Sequence, residues 1–482
     1  MSRNHSDDGF PGVFWSTLSP DKRIPGRLIL GGRRPRVTLS SPITPAMEIK
    51  SQTQGPNGST TTALGPPENE PELTLHGEVI GGYARRVTIF ECRTVSRRSL
   101  GLFSNEIEEQ TLEGEWSILG AHEGADFKIE SCSFRFPNID TWTARGSYQL
   151  EMAKDGSSGK ISYQRPDDLP AEIPNDMGSM AVRTRLLPPH WDLNGTGFTY
   201  RTRIIFEQLP AVSISELINK YIAPITHLVT LCSKKDASPN SMEVKSSSGD
   251  RWCLVHHAVL KEAKDNGEAP RPLLTLDDVT IEGVAKWITE YQRVSPVPAL
   301  ISNIAAADHP RSVENQVLEL AASFEGLHRR LYPENRRMSK SQADKIRRIA
   351  RDSVPEEFSP LVNDALFHLY DPTYHERIVC LLDEVDSIAP NLVGDREQWI
   401  KQVKNARNGF AHQLPNARVG NIEALYVLSQ SLTWALKFLL FRLTGMDESI
   451  LAERIREHRP YEDFLLYARR ANPDAWPHSN TA

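Results

Sequence analysis

Cysteine is scarce in this sequence, and glycine-rich phosphate loops are missing. Five cysteines are scattered among 482 residues and never form a Cys-x-x-Cys pair. Because disulfide frameworks and zinc sites need cysteines at defined spacings, neither is predicted, and we expect an intracellular protein. Neither a Walker-type loop nor a dinucleotide-binding glycine fingerprint occurs, so we predict no cofactor and no bound metal. The cysteines are Cys92, Cys132, Cys232, Cys253 and Cys380.

Long hydrophobic runs are also missing. The first residues, MSRNHSDDGF, contain no apolar core of the kind that a signal peptide has. The most apolar stretch, from Ala424 to Leu443, is interrupted by Lys437 and Arg442 among other polar residues. This pattern favours a buried core helix over a membrane span. We therefore expect a cytoplasmic protein with no membrane partner.

An excess of positive charge is absent as well. The formal net charge is -6 and the isoelectric point is about 6.2. These values argue against a protein that coats nucleic acid through its overall field, although a local basic patch could still bind it. The length of the chain predicts two or three domains, because a single core rarely grows to this size.

The first half of the chain contains β-like runs. Segments such as RVTIFECRTV and FTYRTRIIFEQL are separated by Gly, Pro, Asn and Asp clusters, a pattern that predicts sheet. We expect a flexible tail over residues 1–10 and a β-rich domain over residues 11–210. Residues 51–72 are polar and rich in Gly, Pro, Ser and Thr, so we predict a mobile loop there.

The second half is dominated by helical patterns. Residues 211–300 mix helix-like and strand-like segments and are expected to connect two domains. Over residues 301–460, apolar residues recur at three and four positions, as in SVENQVLELAASFEGLHRRLY, which predicts a helical bundle. Residues 461–482 are expected to form a tail. The predicted fold class is α+β multidomain, a β-rich region followed by an all-α bundle. Helices are expected near residues 340–352, 373–388, 395–413 and 421–444.

The stretch NARNGFAHQLP, residues 405–415, places three polar residues near the end of one predicted helix. Asn408 and His412 are four residues apart and share one side, where the long Arg407 side chain can reach them. His412 can exchange protons near neutral pH, and Arg407 offers a planar fork for two phosphate oxygens. Asn408 can position a phosphate or fix the imidazole tautomer. By itself, this spacing is more typical of a solvated helix end than of a functional site.

The motif ARNGFAH resembles the signature of HEPN domains, and the surrounding helices are similar to the ApeA-like branch. The segments FPGVFWSTLSPDKRIPGRLIL and LHGEVIGGYARRVTIFECRT are similar to the β-rich ApeA N-terminal domain. The resemblance implies a metal-independent endoribonuclease, a toxin of prokaryotic abortive-infection (antiviral) defence that cleaves host RNA, with tRNA as the expected substrate. It also implies a homodimer through the HEPN domain. We expect a phage-derived trigger to act at the N-terminal region.

The resemblance also implies roles for individual residues. Arg407, Asn408 and His412 would be catalytic, and Glu325 lies where the family often places an acidic residue near the cleft. The alternative for Glu325 is a solvated charge paired with Arg329 at four-residue spacing. A concentration of basic residues is the best candidate for RNA binding, and a solvated helix pair explains it equally well. These basic residues are Arg329, Arg330, Arg336, Arg337, Lys340, Lys345, Arg347, Arg348 and Arg351.

The chemistry expected from these residues is attack of a ribose 2′-OH on its own 3′-phosphodiester, which leaves a 2′,3′-cyclic phosphate. Two other interpretations stay open. In one, the helical domain is a non-catalytic RNA-binding or dimerisation module in which Arg407 binds phosphate without cleavage. In the other, the protein is an interaction protein whose helical half mainly dimerises. Only the last predicts no salt-dependent RNA affinity.

Overall fold

The structure is a computed structural model that describes residues 9–477 with short gaps. It divides into two compact units: the first is Met1–Asp140, Gly146–Ile222 and Ala237–Gly267, and the second is Thr141–Arg145, Ala223–Asp236 and Glu268–Ala482. The predicted fold class is confirmed, with a β-rich first region and a helical later region. The gaps are residues 45–47, 55–59, 66–71, 82–83, 100–106, 147, 188–189, 193–194, 198, 247–249, 262–270, 307–311 and 412–421.

The first unit is built mainly from β-strands. Among the described residues they are β1 (Phe10–Ser16), β2 (Ile24–Ile29), β3 (Arg36–Leu39), β4 (Glu48–Gln54), β5 (Thr60–Gly65), β6 (Leu73–Val79), β7 (Arg86–Ser99), β8 (Ile107–Glu113), β9 (Trp116–Leu119), β10 (Cys132–Arg135), β11 (Tyr148–Met152), β12 (Gly159–Tyr163), β13 (Leu169–Glu172), β14 (Ser179–Leu186), β15 (His190–Asp192), β16 (Gly195–Gly197), β17 (Tyr200–Glu207), β18 (Ser241–Lys245) and β19 (Trp252–His257).

Six of these strands close into a barrel. The order around it is β7, β6, β1, β2, β3 and β8, and β8 pairs with β7 to complete the circle. All neighbouring strands are antiparallel. Apolar side chains from all six strands form the core, among them Phe14, Leu75 and Ile89, which are at most 1% exposed. Because the barrel is closed, each of its strands has a hydrogen-bonded neighbour on both sides.

Strand β7 belongs both to the barrel and to a second sheet. Its residues 93–99 pair with β8, and its residues 87–90 pair with β9. Gly114 lies between β8 and β9, where a Cβ atom would stand 2.4 Å from the Ile89 side chain and 2.9 Å from the Phe90 carbonyl. Only glycine therefore fits at this position, where the chain passes from the barrel to the second sheet. From β9 the sheet continues through β19, β18, β10, β17, β14 and β13.

The predicted mobile loop, residues 51–72, is wrong in part. Strands β4 and β5 pair with each other in an antiparallel two-stranded sheet that begins before residue 51 and ends at Gly65. The β-branched threonines at residues 60–62 favour extended backbone. Residues 55–59 and 66–71 of the predicted loop lie outside the described residues.

The rest of the regular structure is helical. The described helices are α1 (Ile139–Thr143), α2 (Ile214–Leu217), α3 (Ala223–Ser233), α4 (Leu276–Val279), α5 (Ile281–Val294), α6 (Val297–Ala305), α7 (Val313–Leu331), α8 (Lys340–Asp352), α9 (Ser359–Ala365), α10 (Tyr374–Asp386), α11 (Arg396–Ala411), α12 (Ile422–Arg442), α13 (Glu448–Arg456) and α14 (Arg459–Ala471). A π-helical turn, Ile218–Ile222, follows α2, and a 3-10 turn, Glu356–Phe358, precedes α9.

Helices α7 and α12 form the centre of the bundle. Val317, Leu320, Phe324 and Leu327 of α7 are fully buried, as the apolar stripe in the sequence predicts. Helix α12 is the one described helix that is long and apolar enough to cross a membrane, and 78% of its most apolar window is buried. This burial is typical of a core helix, the structure expected for that run.

The domain boundaries differ from those predicted. The predicted connecting region, residues 211–300, is divided between the two units, because residues 237–267 belong to the first and residues from 268 onwards to the second. The helical unit therefore begins before residue 301. Prolines separate α5 from α6 without ending the unit, since proline is tolerated in the first turn of a helix.

Both predicted tails are shorter than expected. Strand β1 begins at Phe10, inside the tail predicted for residues 1–10, and residues 1–8 lie outside the description. The tail predicted for residues 461–482 is helical as far as Ala471, within α14. This helix forms because its apolar residues recur on one face, which the bundle buries.

Candidate active site

Helix α11 carries the sequence motif, and its position is fixed at its start and along one face. The Gln398 backbone N–H donates to Asp395 Oδ1 over 2.9 Å, so Asp395 caps the helix. Trp399 is fully buried, and its indole N–H donates to Ser431 Oγ over 2.8 Å. The buried face sets the rotation of the helix and leaves Arg407 half-buried at its edge.

Arg407 is held on three sides. Its Nη2 donates to Glu325 Oε2 of α7 over 3.0 Å, and its Nη1 donates to Asn408 Oδ1 over 3.3 Å. Its guanidinium carbon lies 4.7 Å from the centroid of the Tyr374 ring of α10. The side chain is still 34% exposed. The planar fork is therefore oriented by the protein while part of it faces solvent, where it can meet a phosphate.

Glu325 bridges two arginines. Besides Arg407, it accepts a hydrogen bond from Arg329 Nη2 over 2.9 Å, the four-residue pairing that the sequence offered as the alternative role. Both contacts exist at once. Because one carboxylate faces two guanidinium groups, the cluster keeps an excess of one positive charge. That excess favours an additional anion at this surface.

Tyr374 is a part of the cluster that sequence analysis missed. Its hydroxyl donates to the Ala321 carbonyl oxygen over 3.2 Å. Burial raises the pKa of this phenol far above its usual range, so the group stays neutral. Tyr374 therefore supplies a ring face on which Arg407 rests rather than a proton donor for a ligand. No spacing rule points to it, because α10 and α11 meet only in the folded chain.

His328 is a fully buried histidine on α7. Arg377 Nη1 lies 3.3 Å from its Nδ1, and Asn335 Nδ2 lies 3.4 Å from its Nε2. Arginine can only donate, so Nδ1 accepts and the proton of the neutral ring is on Nε2. Burial and the adjacent Arg377 lower the pKa of His328 to about 4. His328 is thus neutral and structural.

His412, the expected proton-transfer residue, lies outside the described residues. Helix α11 is described as far as Ala411, and the remaining residues of the predicted helix, 412 and 413, also lie outside the described residues. Asn408 is half-buried and its side-chain oxygen contacts Arg407. The structure therefore brings together Arg407, Asn408 and Glu325 among the predicted catalytic residues, and it describes the helix that leads directly to His412.

The basic residues predicted to bind RNA occupy different surroundings. Arg347 donates to the backbone carbonyls of Leu366 and Phe367, both over 3.0 Å, which fixes the loop after α9. Arg337 Nε lies 3.0 Å from Glu376 Oε1. Only Arg347 among the nine is not exposed, and several of the others also hold neighbouring segments. The exposed members are Arg329, Arg330, Arg336, Arg337, Lys340, Lys345, Arg348 and Arg351.

Residues beyond α14 secure the start of the motif helix. Gly394 has a φ of +61°, and a Cβ atom there would lie 2.2 Å from the Ala475 carbonyl oxygen, so glycine is required. That carbonyl accepts from the Asp395 backbone N–H. The side-chain amides of Asn472 and Gln402 also pair, with Asn472 Nδ2 donating over 2.7 Å. A segment predicted to be a tail thus positions α11.

Two comparisons with known families match most of the chain. The family described as ApeA N-terminal domain 1 matches residues 10–287, and the family described as Apea-like HEPN matches residues 318–450. The barrel followed by a helical bundle therefore defines a two-domain protein of the HEPN class. The chain belongs to the ApeA family, as the resemblance predicted. Its domains point to a HEPN-type antiphage defence protein, and HEPN domains are generally associated with ribonuclease activity. Neither a curated protein nor a solved structure matches the chain.

Proposed function

We propose that this protein is a metal-independent endoribonuclease that acts in antiphage defence by cleaving host RNA. The observation that carries the proposal is Arg407, oriented by Glu325 and Tyr374 with part of its fork open to solvent. It lies on the helix that leads directly to His412. Phosphodiester cleavage without a metal needs a fixed cation beside a group that exchanges protons near neutral pH.

In the proposed reaction, the ribose 2′-OH attacks the adjacent phosphorus and the bond from phosphorus to the 5′ oxygen breaks. The products are a 2′,3′-cyclic phosphate and a 5′-hydroxyl. One His412 accepts the proton of the 2′-OH, and His412 of a second copy protonates the leaving oxygen, so the proposal includes a homodimer with a composite cleft. Arg407 stabilises the charge on the phosphorane. DNA is not cut, because it lacks the attacking hydroxyl.

The neighbouring charges have distinct proposed roles. Glu325 positions Arg407, and Asn408 contacts both the guanidinium and the bound phosphate. Arg329 and Arg330, at the end of α7, extend the cationic surface from the site. The remaining exposed cations of the predicted track would bind phosphates further along the RNA. Each contact of this kind makes RNA affinity fall as salt rises.

The proposed substrate is tRNA, and the proposed trigger is a phage-derived component that acts on the N-terminal region. Support for both comes from the defence role to which the two domains point. A nuclease that cuts host RNA must stay inactive until infection. The proposal therefore expects the untriggered protein to cut slowly.

The test incubates purified wild-type protein and a His412→Ala variant with total RNA, then with defined tRNA, in EDTA. Fragment ends are mapped chemically. We expect cleavage by wild type only, with cyclic phosphate ends. A Lys401→Ala variant is the matched control, because Lys401 is exposed on the same helix and has no proposed role.

Other results would contradict the proposal in distinguishable ways. Cleavage by both proteins would exclude His412 as the proton-transfer residue, and loss of cleavage in EDTA would indicate a metal enzyme. Salt-dependent RNA binding by both without cleavage, and without growth arrest on expression of wild type, would indicate a non-catalytic RNA-binding module. If neither purified protein cuts RNA but expression of wild type arrests growth and expression of His412→Ala does not, the nuclease proposal stands and the purified protein lacks its trigger.

A further inference from the structure

The second sheet of the first unit has a buried face and an open face on strands β10, β14 and β17. Phe134, Ile204 and Val182 pair in one row across these strands and are at most 1% exposed. Because successive side chains of a strand point to opposite faces, the residues next to this row lie on the other face. Five arginines lie there, each half-buried or exposed, and we call them the arginine face: Arg135, Arg183, Arg185, Arg201 and Arg203.

The arginines of this face lie opposite one another across the strands. Arg183 pairs with Arg203, and Arg185 pairs with Arg201, in the antiparallel register of β14 and β17. Burial lowers the pKa of Arg203, and the charges of Arg135 and Arg201 act in the same direction. Like charges directly opposite each other destabilise a sheet. The arginine face is therefore a source of repulsion in the unbound protein.

Carboxylates offset the charge of three of the five arginines. These ion pairs join Arg183 Nε to Asp168 Oδ2 over 2.6 Å, Arg203 Nη2 to Glu243 Oε2 over 3.4 Å and Arg135 Nη2 to Asp140 Oδ2 over 2.5 Å. Arg185 and Arg201 are exposed, and neither has an ion pair or a side-chain hydrogen bond among the described residues. Two opposed guanidinium groups are thus left for an anion from outside.

The surroundings of Arg185 and Arg201 favour a phosphate backbone over a protein partner. Protein interfaces usually have an apolar centre, whereas nucleic-acid interfaces are more polar and more positively charged. Among the described residues, none of the large apolar side chains that are exposed lies on β10, β14 or β17. The planar fork of arginine matches two oxygens of one phosphate.

We propose that the arginine face binds the phosphate backbone of RNA, with Arg185 and Arg201 as the direct contacts. A phosphate between these two arginines replaces their repulsion with two attractions. Arg183 and Arg203, which keep their carboxylates, orient the sheet surface beside them. The surface belongs to the first unit, and the choice of RNA over other polyanions rests on the proposed function.

The test measures RNA binding by the full-length chain in a His412→Ala background, so that the RNA stays intact. Fluorescence anisotropy with a labelled tRNA gives the affinity at a series of salt concentrations in EDTA. Adding Arg185→Gln and Arg201→Gln should weaken binding at low salt at least about tenfold. The slope of log affinity against log salt should become less steep by about 1.4 to 1.8, because each phosphate contact adds about 0.7 to 0.9.

Two further double variants separate local contacts from overall charge. Arg33→Gln with Arg98→Gln makes the same change in net charge at exposed residues of the first unit and should keep the affinity and the slope. Arg185→Lys with Arg201→Lys keeps the charge and loses the fork, so it should keep the slope and lose part of the affinity.

Thermal unfolding without RNA shows whether the Arg185→Gln, Arg201→Gln variant folds. Its melting temperature should be at least as high as that of the His412→Ala protein, because the opposed charges are gone. A lower melting temperature would overturn the argument that these arginines repel each other in the unbound sheet.

Several results would overturn the proposal. One is an unchanged tRNA affinity and slope after both glutamine changes, and another is an equal loss in the Arg33→Gln, Arg98→Gln control. Polyglutamate binding that falls in the arginine-face variant while tRNA binding stays would instead assign the face to an acidic protein. Tighter binding of a DNA of the same sequence would overturn the choice of RNA. Because binding is measured without cleavage, arginine-dependent tRNA binding by a chain that never cuts RNA would overturn only the nuclease proposal.

Discussion

Arg407 on α11 and Lys437 on α12 show two different environments for a cation in the same bundle. Arg407 is 34% exposed and is held by the carboxylate of Glu325. Lys437 is 1% exposed, and its Nζ has no hydrogen-bond partner among the described residues. That Nζ lies 4.7 Å from the Trp434 ring centroid and 5.9 Å from that of Phe441. The first cation is oriented and available to a ligand, whereas the second is confined in the core.

The surroundings of Lys437 disfavour the charged form of its amine. Burial and the nearby Lys234 lower the pKa of Lys437 to about 7, and the Cys232 thiol opposes this shift only weakly. Lys234 Nζ itself lies 4.8 Å from the Trp434 ring centroid. An amine without a partner destabilises the fold when it is charged. The bundle therefore tolerates a destabilising group in its core and places its paired cation at the candidate site.

The largest expected effect comes from removing the available cation. Arg407→Ala should lower RNA cleavage by at least about 100-fold, because a charge-stabilising donor is lost from the transition state. Stability should change by less than about 1 kcal/mol, since the ion pair is partly exposed. Cleavage rates and thermal unfolding are measured beside Lys401→Ala. A large loss of stability would show that Arg407 is mainly structural.

A second effect, on stability rather than on cleavage, is expected in the core. Lys437→Met removes the buried amine and keeps most of the side-chain volume, so it should raise the free energy of unfolding by roughly 3 kcal/mol at pH 8. Unfolding by urea measures the change. The exposed control Lys401→Met should stay within about 0.5 kcal/mol of wild type. A destabilised Lys437→Met protein would mean that the ammonium interacts favourably with the neighbouring rings.

Comparison of Lys437→Met with wild type also tests how the free energy of unfolding depends on pH. The folded pKa of Lys437 is about 7, below the unfolded value of 10.5, so the unfolded state binds more protons between these pH values. Wild-type stability should therefore rise with pH above about 7, and the advantage of Lys437→Met should shrink by up to about 1.4 kcal/mol per pH unit. Below pH 7 the advantage should be constant. Equal slopes for both proteins from pH 7 to 9 would contradict this assignment.

The smallest effect is expected from the partner of Arg407. Glu325→Gln keeps the shape of the side chain and removes the charge that faces Arg329 and Arg407. The free energy of unfolding should fall by less than about 1 kcal/mol. Cleavage should fall by roughly tenfold, because the guanidinium is less well oriented. A loss as large as that of Arg407→Ala would instead assign Glu325 to the chemistry itself.

Local patterns predicted most helices of the bundle. Helix α8 spans Lys340–Asp352 as expected, since Ser339 caps it and apolar residues recur on one face. Helix α14 was missed, because its charged surface looks like a solvated tail until the bundle buries its other face. The strands of the barrel were visible as short runs. Closure of the barrel was not predictable, because it pairs β3 with β8 across a long stretch of chain.

The candidate site was predictable only in part. The pair of Glu325 with Arg329 follows from helical spacing, and the helix-end position of Arg407 follows from the apolar stripe. The contact between Arg407 and Glu325 joins residues 82 apart, so it follows from no local rule. The Tyr374 ring beneath Arg407 is likewise a product of how α10 packs on α11.

During synthesis on the ribosome, the barrel cannot close until β8 has been made. Residues 36–39 of β3 pair with residues 110–113 of β8, so the last barrel strand is made 74 residues after the third is complete. At about 5–20 residues per second, the ribosome leaves the β3 edge open for roughly 4 to 15 seconds. An open strand edge is a template for pairing with other nascent chains. Slow translation between these strands would therefore cost yield of the native protein without changing its final stability.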